Sequence, residues 1–248
     1  KRHIVGTENN TQEEAQWPEF HPYISLDNYQ KIRDSAFELG LNADLWNHVV
    51  SFAEKYMGGR PGFEHHTWTI VDWAIKLSRE AIQIDGEVNL KVVFLSAFLH
   101  DIGYEIADKA IETNVKRSKG AHAERGRDLA KPFLEDLIEK GLVSTEEMKE
   151  VLDIVLVHDE IKELSDPERN ITMNTKLLVA ADTLGVISFS YGQPSFGRDG
   201  LERWWMKGKL DRFALLPDFA KKYYVELSKK MFDYIDDKSV DGIVEEVK

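Results

Sequence analysis

The chain has 248 residues, of which 42% are hydrophobic and 31% charged, the balance of an ordinary globular protein with room for a sizeable core. It contains no cysteine, which excludes disulfides and thiolate metal sites and suits a reducing compartment, so a cytoplasmic location is expected. A net charge of −12 argues against a general nucleic-acid binder, and an anionic partner would need a local positive centre such as a bound metal. The longest uncharged apolar run, Val92–Leu99, is far too short to span a membrane, so no membrane partner is expected.

Helical periodicity dominates the chain after a polar, irregular arm over residues 1–26. Helices are predicted over about residues 28–40, 43–56, 63–82, 90–103, 122–141, 145–160 and 174–188. A last helix is predicted from an apolar stripe with a spacing of four residues: Phe219, Tyr223, Leu227, Met231 and Ile235. No alternating strand pattern of useful length is present. The sequence therefore predicts an all-α protein with a single domain over residues 27–248.

Local signals mark several helix ends. Gly40 is expected to stop the first helix, and Pro132 is expected to kink or split the fifth. Ser144 followed three residues later by Glu147 predicts a capping box at the start of the sixth helix.

Six polar residues interrupt or end these apolar helices. His66 shares a helix face with Ile70, Ala74 and Leu77, which are spaced four, four and three residues apart, so it should point into the core. The other five lie at helix ends or within apolar runs: His100, Asp101, His122, His158 and Asp182. Buried groups of this kind need partners, because an unpaired charge in an apolar core is costly.

Two interpretations of this set are open. The six groups could form a buried polar network of carboxylate–imidazole links without a metal. Metal ligation is more economical, because nitrogen and oxygen donors without sulfur suit Mn, Fe, Ni, Zn, Co or Mg. Adjacent helix residues lie about 100° apart around the axis, so His100 and Asp101 can bind one ion from one helix end. His65, which lies off the inward face, is expected at the surface or behind the ligands.

The order H…HD…H…H…D over about residues 60–190 resembles the HD superfamily of metal-dependent phosphohydrolases. The dipeptide alone is a weak signal, since His158-Asp159 is a second copy. The ordered set is the specific part, with "HTWTIVDWAIKL" similar to the family's first-histidine helix and "LLVAADTLG" similar to its last-aspartate helix. The resemblance implies a helical bundle, here with extra N- and C-terminal helices, and one or two divalent metal ions.

The resemblance also implies ligand roles. Four residues would hold the first metal: His66, His100, Asp101 and Asp182. His122 and His158, with Asp101 bridging, look like the second-metal ligands of the family's dinuclear branch. A mononuclear site, with these two as ordinary interior histidines, stays open.

The residues after the HD dipeptide depart from the family pattern. Dinuclear members often carry Lys three residues after the aspartate and some mononuclear ones carry Glu there, whereas this chain has Tyr104 followed by Glu105. The catalytic candidates are therefore Asp101, His122, Tyr104 and Glu105, with the proton donor for the leaving oxygen left open.

Basic residues near this set are candidates for binding an anionic substrate. They are Lys116, Arg117 and Lys119 in "NVKRSKGAHAERG", Arg125 one turn after His122, and Arg198 in the loop "YGQPSFGRDG". A solvated charge run and a surface turn are the simpler alternatives.

Together these features predict a metal-dependent phosphohydrolase that acts on a phosphate ester through a metal-activated water. A nucleotide or other small phosphorylated metabolite as substrate comes from the resemblance alone. Two alternatives share the ligands, namely a mixed-valence di-iron oxygenase of the HD type and a non-catalytic ligand-binding or regulatory HD module. The exact substrate, mono- versus diesterase activity and the oligomeric state, including a homodimer, stay open.

Overall fold

The computed structural model describes residues 26–57, 63–84, 87–104, 121–188 and 211–231, and all regular structure in these ranges is helical, as predicted. The helices with bounds inside these ranges are α1 (Leu26–Glu38), α2 (Ala43–Met57), α3 (Phe63–Ile84), α4 (Leu90–Leu99), α5 (Ala121–Glu139), α6 (Thr145–Val157), α7 (Ile161–Leu164), α8 (Met173–Ile187) and α9 (Asp218–Met231), and residues 211–215 are helical as well. Within these ranges, no helix combines the length and the hydropathy that a membrane crossing requires. Residues 1–25 of the predicted arm lie outside the described part of the chain.

The local signals at helix ends are confirmed with one exception. Gly40 has a φ of +92° just after the end of α1, a conformation that glycine adopts without strain. Ser144 and Glu147 form the capping box at the start of α6. Of the two outcomes expected at Pro132, the split is wrong, because α5 runs unbroken through it, and the kink stays a prediction. The carbonyl that loses its helical partner belongs to the exposed Asp128, so solvent can replace the absent N–H.

Helix α4 lies at the centre of the bundle. It packs against α2, α3, α5, α6 and α8, and every one of its residues except Lys91 is buried. The side chain of Asn89 caps its start by accepting hydrogen bonds from the N–H groups of Lys91 and Val92. Apart from Lys91 and Ser96, the side chains of α4 are apolar, and the polar pair His100-Asp101 follows directly at its end.

Helices α3 and α8 pack against each other and against α4. On α3, His66 is buried together with Ile70, Ala74 and Leu77, which confirms the inward face predicted from their spacing. On α8, Asp182 is buried within an otherwise almost wholly apolar stretch. The two ends of the motif region are therefore brought to neighbouring helices.

Helix α9 packs on α8 with its apolar stripe displaced by one residue from the prediction. The predicted positions that the structure describes are only half-buried: Phe219, Tyr223 and Leu227. The buried line runs one residue later: Ala220, Tyr224 and Ser228. Small side chains at the first and last of these positions let the helix backbone approach its neighbour, so the larger side chains lie on the flank. The side chains of Met231 and Ile235 lie outside the described residues.

Candidate metal centre

His100 and Asp101 follow directly on the last turn of α4. His100 is the C-cap, and its backbone N–H donates to the carbonyl of Ser96 at 2.9 Å. Asp101 begins the turn that leads out of the helix, and Ile102 behind it is fully buried. This anchoring holds the Asp101 carboxylate inside the bundle, where its side chain is 13% exposed.

The Asp101 carboxylate faces four imidazoles. Its Oδ2 lies 3.3 Å from Nε2 of His66 and 3.3 Å from Nε2 of His100. Its Oδ1 lies 3.3 Å from Nε2 of His158 and 3.8 Å from Nε2 of His122. In the part of the chain that the structure describes, two groups therefore have possible ligand atoms within 4.8 Å of one another: His66 with His100 and Asp101, and Asp101 with His122 and His158. Asp101 belongs to both.

Asp182 lies beside the first group but outside it. Its Oδ1 is 3.6 Å from Nε2 of His66, and its Oδ2 is 3.6 Å from Nη1 of Arg212. The structure thus brings Asp182 to the cluster, while its role as a fourth ligand stays a prediction.

The hydrogen bonds of His100 and His158 test whether the cluster fits a cation. Nδ1 of His100 lies 2.9 Å from the carbonyl of Ala97, and Nδ1 of His158 lies 2.8 Å from the carbonyl of Val155. A carbonyl only accepts, so Nδ1 carries the proton in both rings, and Nε2 of each neutral ring presents a lone pair to Asp101. Nε2 of His100 is buried and has no hydrogen-bond partner among the described residues. Lone pairs facing a carboxylate require a proton or a metal ion between them, so the donor set fits a metal.

Without a metal, protons take that place. Burial alone would lower the pKa of His158, but Asp101 and Asp159 outweigh it and raise that pKa to about 9. Burial likewise opposes the ionised form of Asp101, but His100 and the other imidazoles hold its pKa well below the ordinary value. Metal ligation must therefore displace protons from this cluster.

Two further residues contact the second group. The ring of Tyr104 stacks on His122 with the centroids 4.1 Å apart and the planes 11° from parallel. Oδ2 of Asp159 lies 3.4 Å from Nε2 of His122 and 3.9 Å from Nε2 of His158. Burial would raise the pKa of Asp159, but His122, His158 and Arg212 hold it well below the ordinary value. Asp159, although it follows His158 in the chain, thus lies nearer to His122.

Arg212 was not singled out by the sequence analysis. Its Nη2 donates to Oδ1 of Asp159 at 3.2 Å, and its side chain is 14% exposed. It follows Asp159 by 53 residues and has no periodic or motif signal around it, so no local pattern could have placed it there.

Of the basic residues predicted to bind the substrate, the structure describes only Arg125. Arg125 lies on α5 one turn after His122 and is half-buried. The others, and the candidate Glu105, fall outside the described residues: Lys116, Arg117, Lys119 and Arg198.

Comparison with known proteins gives one match. The family model described as "HD domain" matches residues 63–186, which is half of the chain and includes all six predicted ligands. No curated protein and no solved structure matches the chain. The matched segment carries the ordered histidines and aspartates of the cluster around Asp101. This chain therefore belongs to the HD domain family, a superfamily of metal-dependent hydrolases.

Proposed function

We propose that this protein is a phosphohydrolase that cleaves a phosphate ester of a nucleotide or another small phosphorylated metabolite with a metal-activated water. One observation carries the proposal: both oxygens of Asp101 face imidazole nitrogens, Oδ2 those of His66 and His100 and Oδ1 that of His158. A carboxylate shared in this way between two sets of nitrogen donors would let Asp101 help to hold one or two cations, which would supply the charge stabilisation used in hydrolytic phosphoryl chemistry.

The proposed ligands are the six residues expected from the sequence: His66, His100, Asp101, His122, His158 and Asp182. Their nitrogen and oxygen donors suit one or two ions of Mn, Fe, Ni, Zn, Co or Mg. Such an ion acidifies a bound water and offsets negative charge on the phosphate oxygens. The chain contributes orientation, because the Nδ1 hydrogen bonds of His100 and His158 aim both Nε2 atoms at Asp101.

The proposed catalytic set is Asp101, His122, Tyr104 and Glu105. Asp101 holds the cation site together, and the stacked ring of Tyr104 fixes the plane of His122. The leaving oxygen needs a proton, and both the hydroxyl of Tyr104 and a protonated Glu105 can donate one.

A phosphate ester needs cationic partners in so acidic a chain. We propose the predicted basic residues for this role: Lys116, Arg117, Lys119, Arg125 and Arg198. Residues 27–248 are proposed as one all-α domain, and the lack of cysteine favours a cytoplasmic location.

The test compares Asp101→Asn with Asp153→Asn after chelation and reloading with Mn²⁺, Mg²⁺, Zn²⁺ or Fe²⁺. Asp153 is a matched control, because it also pairs with a basic residue but lies on the exposed side of α6, where Oδ1 is 2.6 Å from Nη2 of Arg169. Metal content is measured by mass spectrometry, and phosphate release is screened over nucleotides and small phosphoesters. We expect Asp101→Asn to lose metal and turnover together and Asp153→Asn to keep both.

Other outcomes would replace the proposal. Full turnover in Asp101→Asn contradicts the site. Oxygen uptake and a mixed-valence signal with iron, without phosphate release, would indicate the oxygenase alternative. A protein that takes up no metal under any loading condition would indicate the non-catalytic module.

A further inference from the structure

Arg212 is a cation at the edge of the candidate metal centre. Its Nη2 is 3.2 Å from Oδ1 of Asp159 and its Nη1 is 3.6 Å from Oδ2 of Asp182. Asp159 also approaches His122 at 3.4 Å, and Asp182 also approaches His66 at 3.6 Å. The guanidinium therefore spans the two histidine groups from one side of the cluster.

The backbone of Arg212 is held by the core. Its neighbour Phe213 is 1% exposed and packs on Tyr224 of α9 with the ring centroids 5.4 Å apart. Arg212 therefore follows on from the core at its backbone, and its mostly buried side chain reaches the carboxylates of Asp159 and Asp182.

A second arginine in the same protein shows what a purely structural bridge looks like. Arg169 also joins two carboxylates, those of Asp153 and Glu163, and both contacts are 2.6 Å long. The contacts of Arg212 with Asp159 and Asp182 are longer, at 3.2 and 3.6 Å, although its side chain is less exposed, 14% against 26%. Arg212 thus differs from Arg169 in lying inside the protein, between carboxylates that face the candidate metal ligands His122 and His66.

We infer that Arg212 binds a phosphate oxygen of the substrate at the metal centre. The inference rests on the proposed function and names the residue that recognises its anionic group. A guanidinium has five N–H donors in a planar fork, so one group can keep its bond to Asp159 and donate to phosphate oxygens as well. It brings positive charge to the centre of an acidic chain, where an incoming phosphate needs it.

The test measures inorganic phosphate binding to the Mn²⁺-loaded protein, by calorimetry and by Mn²⁺-induced relaxation of the ³¹P signal. The variants are Arg212→Gln, Arg212→Lys and the matched control Arg169→Gln. Losing a charge-assisted pair should weaken phosphate binding by about tenfold to a hundredfold in Arg212→Gln, with the metal content unchanged. Arg212→Lys should keep part of the affinity through its charge, and Arg169→Gln should stay within about twofold of the wild type.

Three outcomes would overturn the inference. In the first, Arg212→Gln binds phosphate as the wild type does. In the second, it loses metal and phosphate together, which makes Arg212 a positioning residue for Asp182. In the third, the loaded wild type binds no phosphate. Should Arg212→Gln fail to fold in a thermal melt, Arg212→Lys decides, and a phosphate affinity equal to that of the wild type in this variant counts against the inference.

Failure of the inference and failure of the proposed function are separate results. Phosphate binding that depends on Arg212 without turnover of any phosphoester supports the inference and rejects the hydrolase. If the wild type turns over a phosphoester and Arg212→Gln does not change the phosphate affinity, the hydrolase is supported and the inference is rejected.

Discussion

We expect Gly103→Ala to separate the turn after α4 from α5 and so to open the metal centre. A Cβ at position 103 would stand 1.9 Å from the carbonyl oxygen of His122, 2.6 Å from the nitrogen of Gly126 and 2.9 Å from the carbonyl carbon of His122. All three are backbone atoms, which cannot rotate away as the end of a side chain can. Reaching an ordinary contact of about 3.4 Å requires a displacement of about 1.5 Å.

That displacement is large on the scale of metal coordination. Ligand distances vary by only about 0.2 Å in well-formed sites, so a shift several times larger removes a ligand. Asp101 lies on the turn and His122 on α5, which makes the group of Asp101, His122 and His158 the one that opens. Overpacking of this kind costs about 1–3 kcal/mol, which corresponds to several degrees in the thermal midpoint.

Gly126→Ala is the control on the opposite side of the same contact. Its added Cβ would meet its nearest neighbours at 3.4–3.6 Å, an ordinary distance, and alanine within a helix is favoured over glycine by roughly 0.5–1 kcal/mol. Metal stoichiometry by mass spectrometry and thermal melts of the metal-free proteins distinguish the two variants. A Gly103→Ala protein with wild-type stoichiometry and a midpoint within about a degree of the wild type would refute the reasoning.

Metal affinity should rise with pH, because the pKa of His158 is raised to about 9 and a metal must displace the proton that this keeps on Nε2. Calorimetry with Mn²⁺ from pH 6.5 to 9 checks this, and an affinity that does not change with pH contradicts it. In the metal-free protein the same raised pKa adds roughly 3 kcal/mol to the free energy of unfolding below pH 6.5. This contribution is lost as the pH rises through 9, so the thermal midpoint should fall between pH 6.5 and 9. Ser144→Ala removes the capping box of α6 and should lower the free energy of unfolding in denaturant by about 1 kcal/mol, with metal content unchanged. Tyr104→Phe keeps the ring stacked on His122 and should keep the metal content, whereas Tyr104→Leu removes the stack and should lower both metal content and turnover. Equal metal binding by the two variants would show that the Tyr104 ring does not position His122.

Much of the site could be predicted because its residues carry local signals. The inward face of His66 follows from the spacing of Ile70, Ala74 and Leu77, since a helix repeats its faces every three to four residues. His100 and His158 were predicted as helix ends because apolar runs stop at them, and both are C-caps in the structure. The convergence at Asp101 could be expected only through the family resemblance, because spacing along a helix says nothing about which helices meet.

What escaped prediction depends on packing between distant segments. The buried line of α9 runs through Ala220 and Ser228, because small residues allow close approach, whereas a reading of apolar positions favours the larger Phe219 and Tyr223. Arg212 reaches the centre because Phe213 beside it is buried against α9, and neither fact is visible in the few residues around it.

The two copies of the His-Asp dipeptide share a single physical design. Helices α4 and α6 both end on a C-cap histidine whose Nδ1 donates to the carbonyl three residues earlier, Ala97 for His100 and Val155 for His158. Each helix end carries about half a negative charge from its aligned peptide dipoles, and at both ends Nε2 of the histidine faces Asp101. Two helix C-termini that end beside one carboxylate make a strongly negative position inside the bundle, which protons or metal ions between Asp101 and the imidazoles can balance. The second dipeptide, uninformative as a motif, is therefore the counterpart of the first in building a cation site.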